Sequence, residues 1–261
     1  MDQSRFPKFL KPIFEDDAVI GYKPREDLWL LHTKQGVSVS LYLLEGEEKA
    51  LIVDSGHRIK NFKAMINKII HKPYVIAITH GHPDHVGSID EFDTIYMNKK
   101  DENLISNYKG NIINISQGYV FDLGNRNVEV IDMPGHTAGS IGLLDQNGKF
   151  LLVGDSIGYI TCWMQLSDWP LECLIKTLEY LLSIKEKWDE IYSGHYHIQN
   201  YPLKHQYVED LINLANKICY TKDFESKPWS EDGFIFDYQP LVAYGNNGVN
   251  IVYNPNNLLL K

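Results

Sequence analysis

The sequence of 261 residues predicts an α+β fold, a four-layer αββα sandwich in which two sheets pack face to face and helices cover their outer faces. Two observations predict it. Strands, helix, strand and helix follow one another in the first half of the chain, and a similar succession occurs in the second half. No linker separates the halves. We therefore expect a single domain over residues 1–261, with residues 222–261 as a strand-rich C-terminal extension of that domain.

The first half of the chain begins with strands. Short apolar runs bounded by turn residues predict strands at 27–33, 37–46 and 49–56. Residues 58–70 place apolar side chains at helical spacing and predict a helix. The elements predicted after it are a buried strand at 73–79, a short helix at 86–92, a strand at 94–98 and a helix at 100–107.

The second half repeats this succession with a clearer helix. The predicted strands are 128–133, 140–145 and 149–155, and Asn147-Gly148 predicts a hairpin between the last two. Residues 167–187 carry an apolar stripe with a proline in the first turn, which is typical of an amphipathic helix. The elements predicted after it are a strand at 188–194, a helix at 203–219 and a hairpin at 240–254.

Composition excludes several classes of protein. The 25 basic and 34 acidic side chains give a net charge of -9, whereas a nucleic-acid-binding protein usually carries a basic stripe. Three widely spaced cysteines do not predict a disulfide framework. The N-terminal segment is unlike a signal peptide, and no apolar run is long enough to span a bilayer. We expect a cytoplasmic protein with a small-molecule substrate, no nucleic-acid partner and no membrane segment; a homodimer is a further expectation.

The segment HGHPDH at residues 80–85 is the first candidate functional site. It directly follows the strand predicted at 73–79, and Gly81 and Pro83 are expected to keep it in a tight loop rather than a helix. Imidazole and carboxylate ligands in this mixture suit zinc, although iron and manganese accept them too. The alternative is a surface loop whose histidines are incidental.

Three further candidate ligands follow later strands. His136 follows the strand at 128–133, Asp155 ends the strand at 149–155, and His195 follows the strand at 188–194. Each has a glycine beside it. A lone histidine is usually structural or solvated, but a cluster of ligands at residues 80–85 cannot fill two metal shells by itself. Together these residues predict a metal centre.

At this point the sequence resembles the metallo-β-lactamase-fold hydrolase superfamily. The resemblance covers most of the chain, from LIVDSG at residues 51–56 to YSGH at residues 192–195. Its motifs are THGHPDH, PGHTAGS, GDS and SGH, in the order of the superfamily and with comparable spacing. It implies the metallo-β-lactamase fold and a centre with two divalent metal ions, for which we expect zinc, with iron or manganese as alternatives.

The resemblance also implies a role for each motif residue. The first metal would be held by His80, His82 and His136. The second metal would be held by Asp84, His85 and His195. Asp155 and a hydroxide would bridge the two metals, and Asp54 would orient the ligand loop from behind the ligands.

The implied activity is hydrolysis by a metal-bridging hydroxide. Two divalent ions, two carboxylates and one hydroxide leave a net charge near +1, which attracts a carbonyl or phosphoryl oxygen. Asp84 is the predicted catalytic residue, because it would accept a hydrogen bond from the nucleophile as well as contact a metal. We expect a small ester, thioester or lactone as substrate. A phosphodiesterase of the same fold and a non-catalytic metal-binding or sensing module are the alternatives.

Candidate substrate contacts lie beside two of the predicted ligands. His197 stands two positions after His195, and alternate positions of an extended chain share a face. Tyr159 and Trp163 follow Asp155 in an aromatic segment. The last two would form an apolar wall of the substrate site; the alternative for both is packing in the core.

Overall fold

The structure is a computed structural model that describes residues 7–36, 38–158, 161–165, 169–196, 201–231 and 233–260. It has the predicted αββα architecture.

The first sheet contains eight strands that lie side by side in chain order. They are β1 (Phe14–Glu15), β2 (Val19–Arg25), β3 (Leu28–Thr33), β4 (Ser40–Glu45), β5 (Ala50–Val53), β6 (Tyr74–Ala77), β7 (Thr94–Met97) and β8 (Asn111–Asn114). Pairing is antiparallel from β1 to β5 and parallel from β5 to β8. The strands predicted around residues 27–56 correspond to β3, β4 and β5, while β2 was not separately predicted.

The second half of the chain forms two further sheets. A five-stranded sheet has the order β14-β12-β11-β10-β9, and a four-stranded sheet has the order β13-β17-β16-β15. Their strands are β9 (Val120–Asp122), β10 (Asn127–Asp132), β11 (Ile141–Asp145), β12 (Phe150–Leu152), β13 (Thr161–Trp163), β14 (Glu190–Tyr192), β15 (Glu225–Pro228), β16 (Leu241–Tyr244) and β17 (Asn250–Tyr253). The predicted hairpins are confirmed, since β11 pairs with β12 and β16 with β17, both antiparallel.

Helices cover the two outer faces. The α-helices within the described residues are α1 (Phe62–Ile66), α2 (Pro83–Val86), α3 (Glu172–Ser183) and α4 (His205–Asn216). The 3-10 helices are Ile89–Glu91, Lys99–Ile105, Lys185–Lys187 and Asn246–Gly248, and α4 continues into a π-helical turn at Lys217–Thr221. Helix α1 begins later than predicted because Asn61, its N-terminal flanking residue, has a left-handed backbone with φ 57°. In the described part of the chain, no helix is both long and apolar enough to cross a bilayer.

The prediction that the segment 80–85 contains no helix is wrong. Pro83 begins helix α2, and His82 precedes it in an extended conformation. A proline is well accommodated at the first helical position, because its missing N–H would have no partner there in any case and its φ already suits a helix. Asp84 and His85 therefore project from a helical turn.

Alternating side chains connect the layers. In β4, Leu41 and Leu43 face the α1 side of the sheet, whereas Tyr42 and Leu44 face the second sheet. In β11, Leu143 faces the first sheet and Leu144 faces α3 and α4. This period of two is what a strand buried on both faces requires. The three buried clusters of the protein are thus the three contacts between four layers.

Candidate metal centre

The structure brings all seven predicted ligands together in two donor groups. The first donor group consists of His80, His82 and His136. The second donor group consists of Asp84, His85, Asp155 and His195. Within each group, the candidate ligand atoms all lie within 4.8 Å of one another.

The donor groups form where strands of the two packed sheets end. His80 follows β6, His136 follows β10, Asp155 follows β12 and His195 follows β14. Backbone hydrogen bonds join the loops that carry these residues. The N–H of Ile141 donates to the carbonyl of Thr79 at 2.9 Å, and the N–H of Gly194 donates to the carbonyl of Gly154 at 2.7 Å. The loops therefore hold one another in place before any ligand binds.

In the first donor group, the rings are aimed at a common point. Nδ1 of His136 donates to the carbonyl oxygen of Trp163 at 2.6 Å. The proton of the neutral ring is therefore on Nδ1, and the lone pair on Nε2 is available to a ligand. That Nε2 lies 2.9 Å from Nδ1 of His82. His80 is buried, and its Nε2 has no hydrogen-bond partner among the described residues.

In the second donor group, each histidine is held from behind. Nδ1 of His85 donates to a carboxylate oxygen of Asp54 at 2.7 Å, and Nδ1 of His195 donates to the carbonyl oxygen of Ser38 at 2.7 Å. Their Nε2 atoms face the carboxylates. Nε2 of His85 lies 3.4 Å from Asp155 Oδ1, and Nε2 of His195 lies 3.1 Å from Asp155 Oδ2. Asp84 is also close, 3.7 Å from His85 and 3.6 Å from His195.

Asp155 lies between the two donor groups. Besides its contacts with His85 and His195, its Oδ2 is 3.8 Å from Nε2 of His136. One carboxylate is thus within reach of both groups, which is the position that the sequence predicts for a bridging ligand.

The placement of Asp155 depends on close backbone packing. A Cβ on Gly194 would lie 2.3 Å from Asp155 Oδ1 and 2.7 Å from the ring of His85. Any side chain at this position would displace both donors, which explains why a glycine precedes His195.

Asp54 occupies the place predicted for it. Its carboxylate accepts hydrogen bonds from the N–H of Thr79 at 2.7 Å, from the hydroxyl of Thr79 at 2.8 Å and from His85. It therefore connects the loop before His80 with the ring of His85. Such a partner fixes the ring orientation and raises the basicity of the nitrogen that faces a metal.

The two donor groups shift imidazole pKa values in opposite directions. Burial lowers the pKa of His82 to about 4 and also lowers the pKa values of His80 and His136. Burial acts in the same direction on His195, but the Asp155 carboxylate outweighs it and raises the pKa of His195 to about 8. The pKa of His85 is likewise raised well above its usual value, because Asp155 and Asp54 outweigh burial.

The donor set fits two divalent metal ions. Nε2 of His80, Nε2 of His85 and Oδ1 of Asp155 are buried, and none has a hydrogen-bond partner among the described residues. Buried polar atoms are rarely left unsatisfied in this way. Metal ions bound to the two donor groups would satisfy all three atoms. Imidazole and carboxylate donors of this kind suit zinc, and iron or manganese also accept them.

Asp101 is a residue of the centre that the sequence analysis missed. It is only 1% exposed, and its carboxylate accepts from the N–H of Gly81 at 2.9 Å, the hydroxyl of Thr137 at 2.6 Å and the N–H of Gly139 at 2.6 Å. It therefore joins the loop of His80 and His82 to the loop of His136. Its sequence context, Lys-Lys-Asp-Glu at residues 99–102, is typical of a solvated surface and gave no signal.

The predicted substrate contacts have different outcomes. Trp163 is half-buried at the end of β13, where its carbonyl oxygen holds His136 and its ring lies 5.1 Å from that of Trp229. Tyr159 and His197 lie outside the described residues.

Comparison with known proteins identifies the family. Residues 35–195, more than half of the chain, match the model of the metallo-beta-lactamase superfamily. The chain belongs to this superfamily. It is 23% identical over 215 residues to the probable polyketide biosynthesis zinc-dependent hydrolase PksB of Bacillus subtilis, a match that covers 78% of this chain and 94% of that protein.

The chain is also similar to a further curated protein and, in fold, to a solved structure. The acyl-coenzyme A thioesterase MBLAC2 of Bos taurus is 21% identical over 210 residues, covering 62% of this chain and 75% of that protein. The metallo-beta-lactamase family protein TTHA1429 of Thermus thermophilus superposes with a TM-score of 0.60 at 18% identity, over 78% of this chain and 85% of that one. The structural match confirms the fold, and the named relatives support a metal-dependent hydrolase.

Proposed function

We propose that the protein is a dinuclear metal-dependent hydrolase that cleaves acyl thioesters. The observation that carries the proposal is the position of Asp155, whose carboxylate lies within 3.8 Å of histidines from both donor groups. A single carboxylate in this position suits a pair of metal ions better than one isolated ion. In the proposed centre His80, His82 and His136 would hold the first ion, Asp84, His85 and His195 would hold the second, and Asp155 would contribute to both.

The metal ions, when bound, supply Lewis-acid activation of the scissile carbonyl and a nucleophile derived from water at neutral pH. The protein supplies the geometry. Asp54, Ser38 and Trp163 each accept a hydrogen bond from the Nδ1 of one histidine, so that His85, His195 and His136 present Nε2 toward the centre. This fixes the tautomer of each ring and leaves a lone pair available as a ligand.

Asp84 is the residue to which we assign proton handling. It stands in the first turn of α2 and is partly exposed, whereas His85 beside it is fully buried. Its Oδ2 lies 3.6 Å from Nε2 of His195 and 3.7 Å from Nε2 of His85, so the carboxylate lines the second donor group. There it accepts a hydrogen bond from the attacking water and orients it toward the carbonyl carbon.

A thioester is the substrate class that this arrangement and the relatives favour. A thiol has a pKa of about 8.5, so a thiolate departs at neutral pH without needing a strong acid to protonate it. Of the two curated relatives described above, one carries the name acyl-coenzyme A thioesterase. The bridging position is an aspartate and not a cysteine, which is unlike the main zinc β-lactamases.

The test is a substrate panel with the zinc-reconstituted protein. Acyl-coenzyme A thioesters are followed by release of free thiol, and a lactone and bis(p-nitrophenyl) phosphate are assayed in parallel at the same metal content. We expect turnover of the thioesters with about two metal equivalents per chain. Turnover of the phosphodiester alone would contradict the proposal, as would inactivity on the whole panel with both sites filled.

A further inference from the structure

An aromatic cluster, defined here as Trp163, Trp229, Phe234, Phe236 and Tyr238, lies beside the metal centre. The rings of Trp163 and Trp229 are 5.1 Å apart, those of Trp229 and Phe236 are 6.2 Å apart, and those of Phe236 and Tyr238 are 5.4 Å apart. Phe234 and Phe236 stack with an angle of 8° between their planes. The rings come from β13 and from the segment between β15 and β16, so they form one contiguous apolar surface from two parts of the chain.

The cluster is not buried as a core would be. Phe234 is 42% exposed, and Ile235, which lies between Phe234 and Phe236 in the sequence, is 98% exposed. Trp163, Trp229, Phe236 and Tyr238 are partly exposed. Contiguous apolar surface of this kind on a water-facing side of a protein costs free energy, and it commonly marks a binding site.

The aromatic cluster is attached directly to the first donor group. The carbonyl oxygen of Trp163 accepts the hydrogen bond from His136, and the hydroxyl of Tyr238 donates to the carbonyl oxygen of Gln165 at 2.5 Å. Met164 packs closely against Gly135 in the loop of His136. A Cβ placed on Gly135 would lie only 2.7 Å from the terminal methyl carbon of Met164. Residues 163–165 therefore support both a metal-facing histidine and the aromatic surface. A ligand that lies on the cluster would end beside the metals.

Gln165 adds an independent indication of a ligand. It is 2% exposed, and among the described residues neither its amide oxygen nor its amide nitrogen has a hydrogen-bond partner. A buried amide without a partner is unfavourable, and a bound molecule with a carbonyl or amide group beside its apolar part would satisfy it.

We propose that the aromatic cluster binds the acyl chain of the substrate and makes the enzyme selective for medium and long acyl thioesters. This inference rests on the proposed thioester hydrolase function. The cluster offers a surface for an uncharged chain of carbon atoms, and the thioester carbonyl would lie at the adjacent donor groups. Gln165, whose backbone carbonyl accepts from Tyr238 of the cluster, would offer its unpartnered amide to a polar group near the thioester. Aromatic side chains give a large apolar contact area of fixed shape for such a chain.

The experiment compares chain-length selectivity in variants of the exposed edge of the cluster. Phe234→Ala and Ile235→Ser remove apolar surface at partly or fully exposed positions, and Phe9→Ala is the matched control because Phe9 is 80% exposed elsewhere. The zinc-loaded proteins are assayed on acetyl-, hexanoyl-, decanoyl- and palmitoyl-coenzyme A. We expect the ratio of kcat/KM for decanoyl- over acetyl-coenzyme A to fall at least 10-fold in Phe234→Ala, less in Ile235→Ser, and to stay at the wild-type value in Phe9→Ala.

A binding measurement separates this inference from the proposed function. Decyl-coenzyme A, a thioether that cannot be hydrolysed, is titrated into each zinc-loaded protein by calorimetry. Weaker binding to Phe234→Ala by at least 10-fold supports the acyl-chain site even if the wild type turns over no thioester. Turnover of thioesters with an unchanged chain-length ratio and unchanged Kd in both cluster variants overturns the inference and leaves the proposed function intact. A change of oligomeric state in both variants without a change in the ratio also overturns it, in favour of a dimer contact.

Discussion

The two donor groups both contain buried imidazoles, but the imidazoles of the two groups differ in how readily they take up protons. The first contains three imidazoles and no carboxylate, and the second contains two imidazoles and two carboxylates. Burial opposes a charged imidazole in both groups. Only in the second do neighbouring carboxylates outweigh it, so that His85 and His195 favour the protonated form while His80, His82 and His136 favour the neutral form. The neighbouring carboxylates, and not the extent of burial, therefore decide whether the imidazoles of a group are neutral, and so free to bind a cation, in the metal-free protein.

The supports behind the two groups differ in the same way. A carbonyl oxygen holds His136 of the first group and His195 of the second, whereas a full carboxylate, that of Asp54, holds His85 of the second. We therefore expect the second group to respond to changes of charge and pH, and the first group to respond chiefly to changes of shape.

The largest expected effect comes from the residue that the two groups share. Asp155→Asn keeps the shape of the side chain but removes its charge, so the second group should lose its metal and the first should bind more weakly. Residues behind the ligands usually contribute about 10- to 100-fold, so this ligand should cost more than about 100-fold in activity. Elemental analysis and thioester assays check it, with the exposed Asp223→Asn as control. Two full metal equivalents in Asp155→Asn would rule out a bridging role.

Removing a ring from the first group should be nearly as severe. His82→Ala deletes the nitrogen that faces His136 at 2.9 Å, and we expect metal content to fall by about one equivalent and activity to fall by more than about 100-fold. The exposed His71→Ala is the matched control. Wild-type rates in a metal-depleted His82→Ala protein would refute the ligand assignment.

Asp54→Asn tests whether the second group depends on charge behind its histidine. The amide keeps an acceptor for Thr79 but loses the negative charge that faces Nδ1 of His85. We expect metal affinity at the second group to fall about 10- to 100-fold, with the first group little changed. Competition with a chromogenic chelator resolves the two sites. An equal loss at both sites would mean that Asp54 supports the whole loop and not one ring.

Asp101→Asn is the counterpart for the first group. Asp101 joins the loops of His82 and His136 through Gly81, Thr137 and Gly139, and both of its carboxylate oxygens accept hydrogen bonds. Asparagine has only one oxygen acceptor, so it cannot keep all three contacts. We expect about a 10-fold loss of affinity at the first group and a smaller loss at the second. The same chelator competition measures it, and circular dichroism establishes that the variant is folded. Loss confined to the second group would contradict the contrast drawn above.

The last prediction concerns the effect of pH on metal binding by the metal-free protein. In the second group a metal must displace protons, because the pKa of His195 is raised to about 8. Its apparent affinity should rise as pH increases, by up to about 10-fold per unit for each proton displaced, and the contribution of His195 should level off above about pH 8. The first group should stay flat over about pH 6 to 8, since the pKa of His82 is lowered to about 4 and its rings are already neutral. Chelator competition at several pH values tests this, and parallel slopes for both sites would contradict it.

The layers and the side chains of the two donor groups could be predicted from the sequence because both depend on local patterns. Strand ends carry the ligands, and glycines such as Gly194 mark where the backbone must pass close to them. The supports were harder to predict. Trp163 and Ser38 act through carbonyl oxygens, which every residue has, so their identity carries no signal. Asp101 was missed because its partners lie 20 or more positions away, Gly81 in HGHPDH and Thr137 in PGHTAGS.

The C-terminal part of the chain shows the same limit. The segment 240–254 was predicted as a hairpin because its pattern is local, and β16 and β17 confirm it. Strand β13 was not predicted, because its partner is β17, far along the chain, and parallel pairing leaves no turn sequence between the two.

The parallel pairing of β13 with β17 also affects how the protein is made. Trp163, which steadies His136, belongs to a strand whose hydrogen-bonded neighbour is Asn250–Tyr253. All seven candidate ligands are synthesised before that neighbour. During translation the nascent chain therefore exposes a cluster of histidines whose supporting strand is still missing, and contacts between residues so distant in sequence form slowly. A mature metal centre is expected only after translation has passed β17.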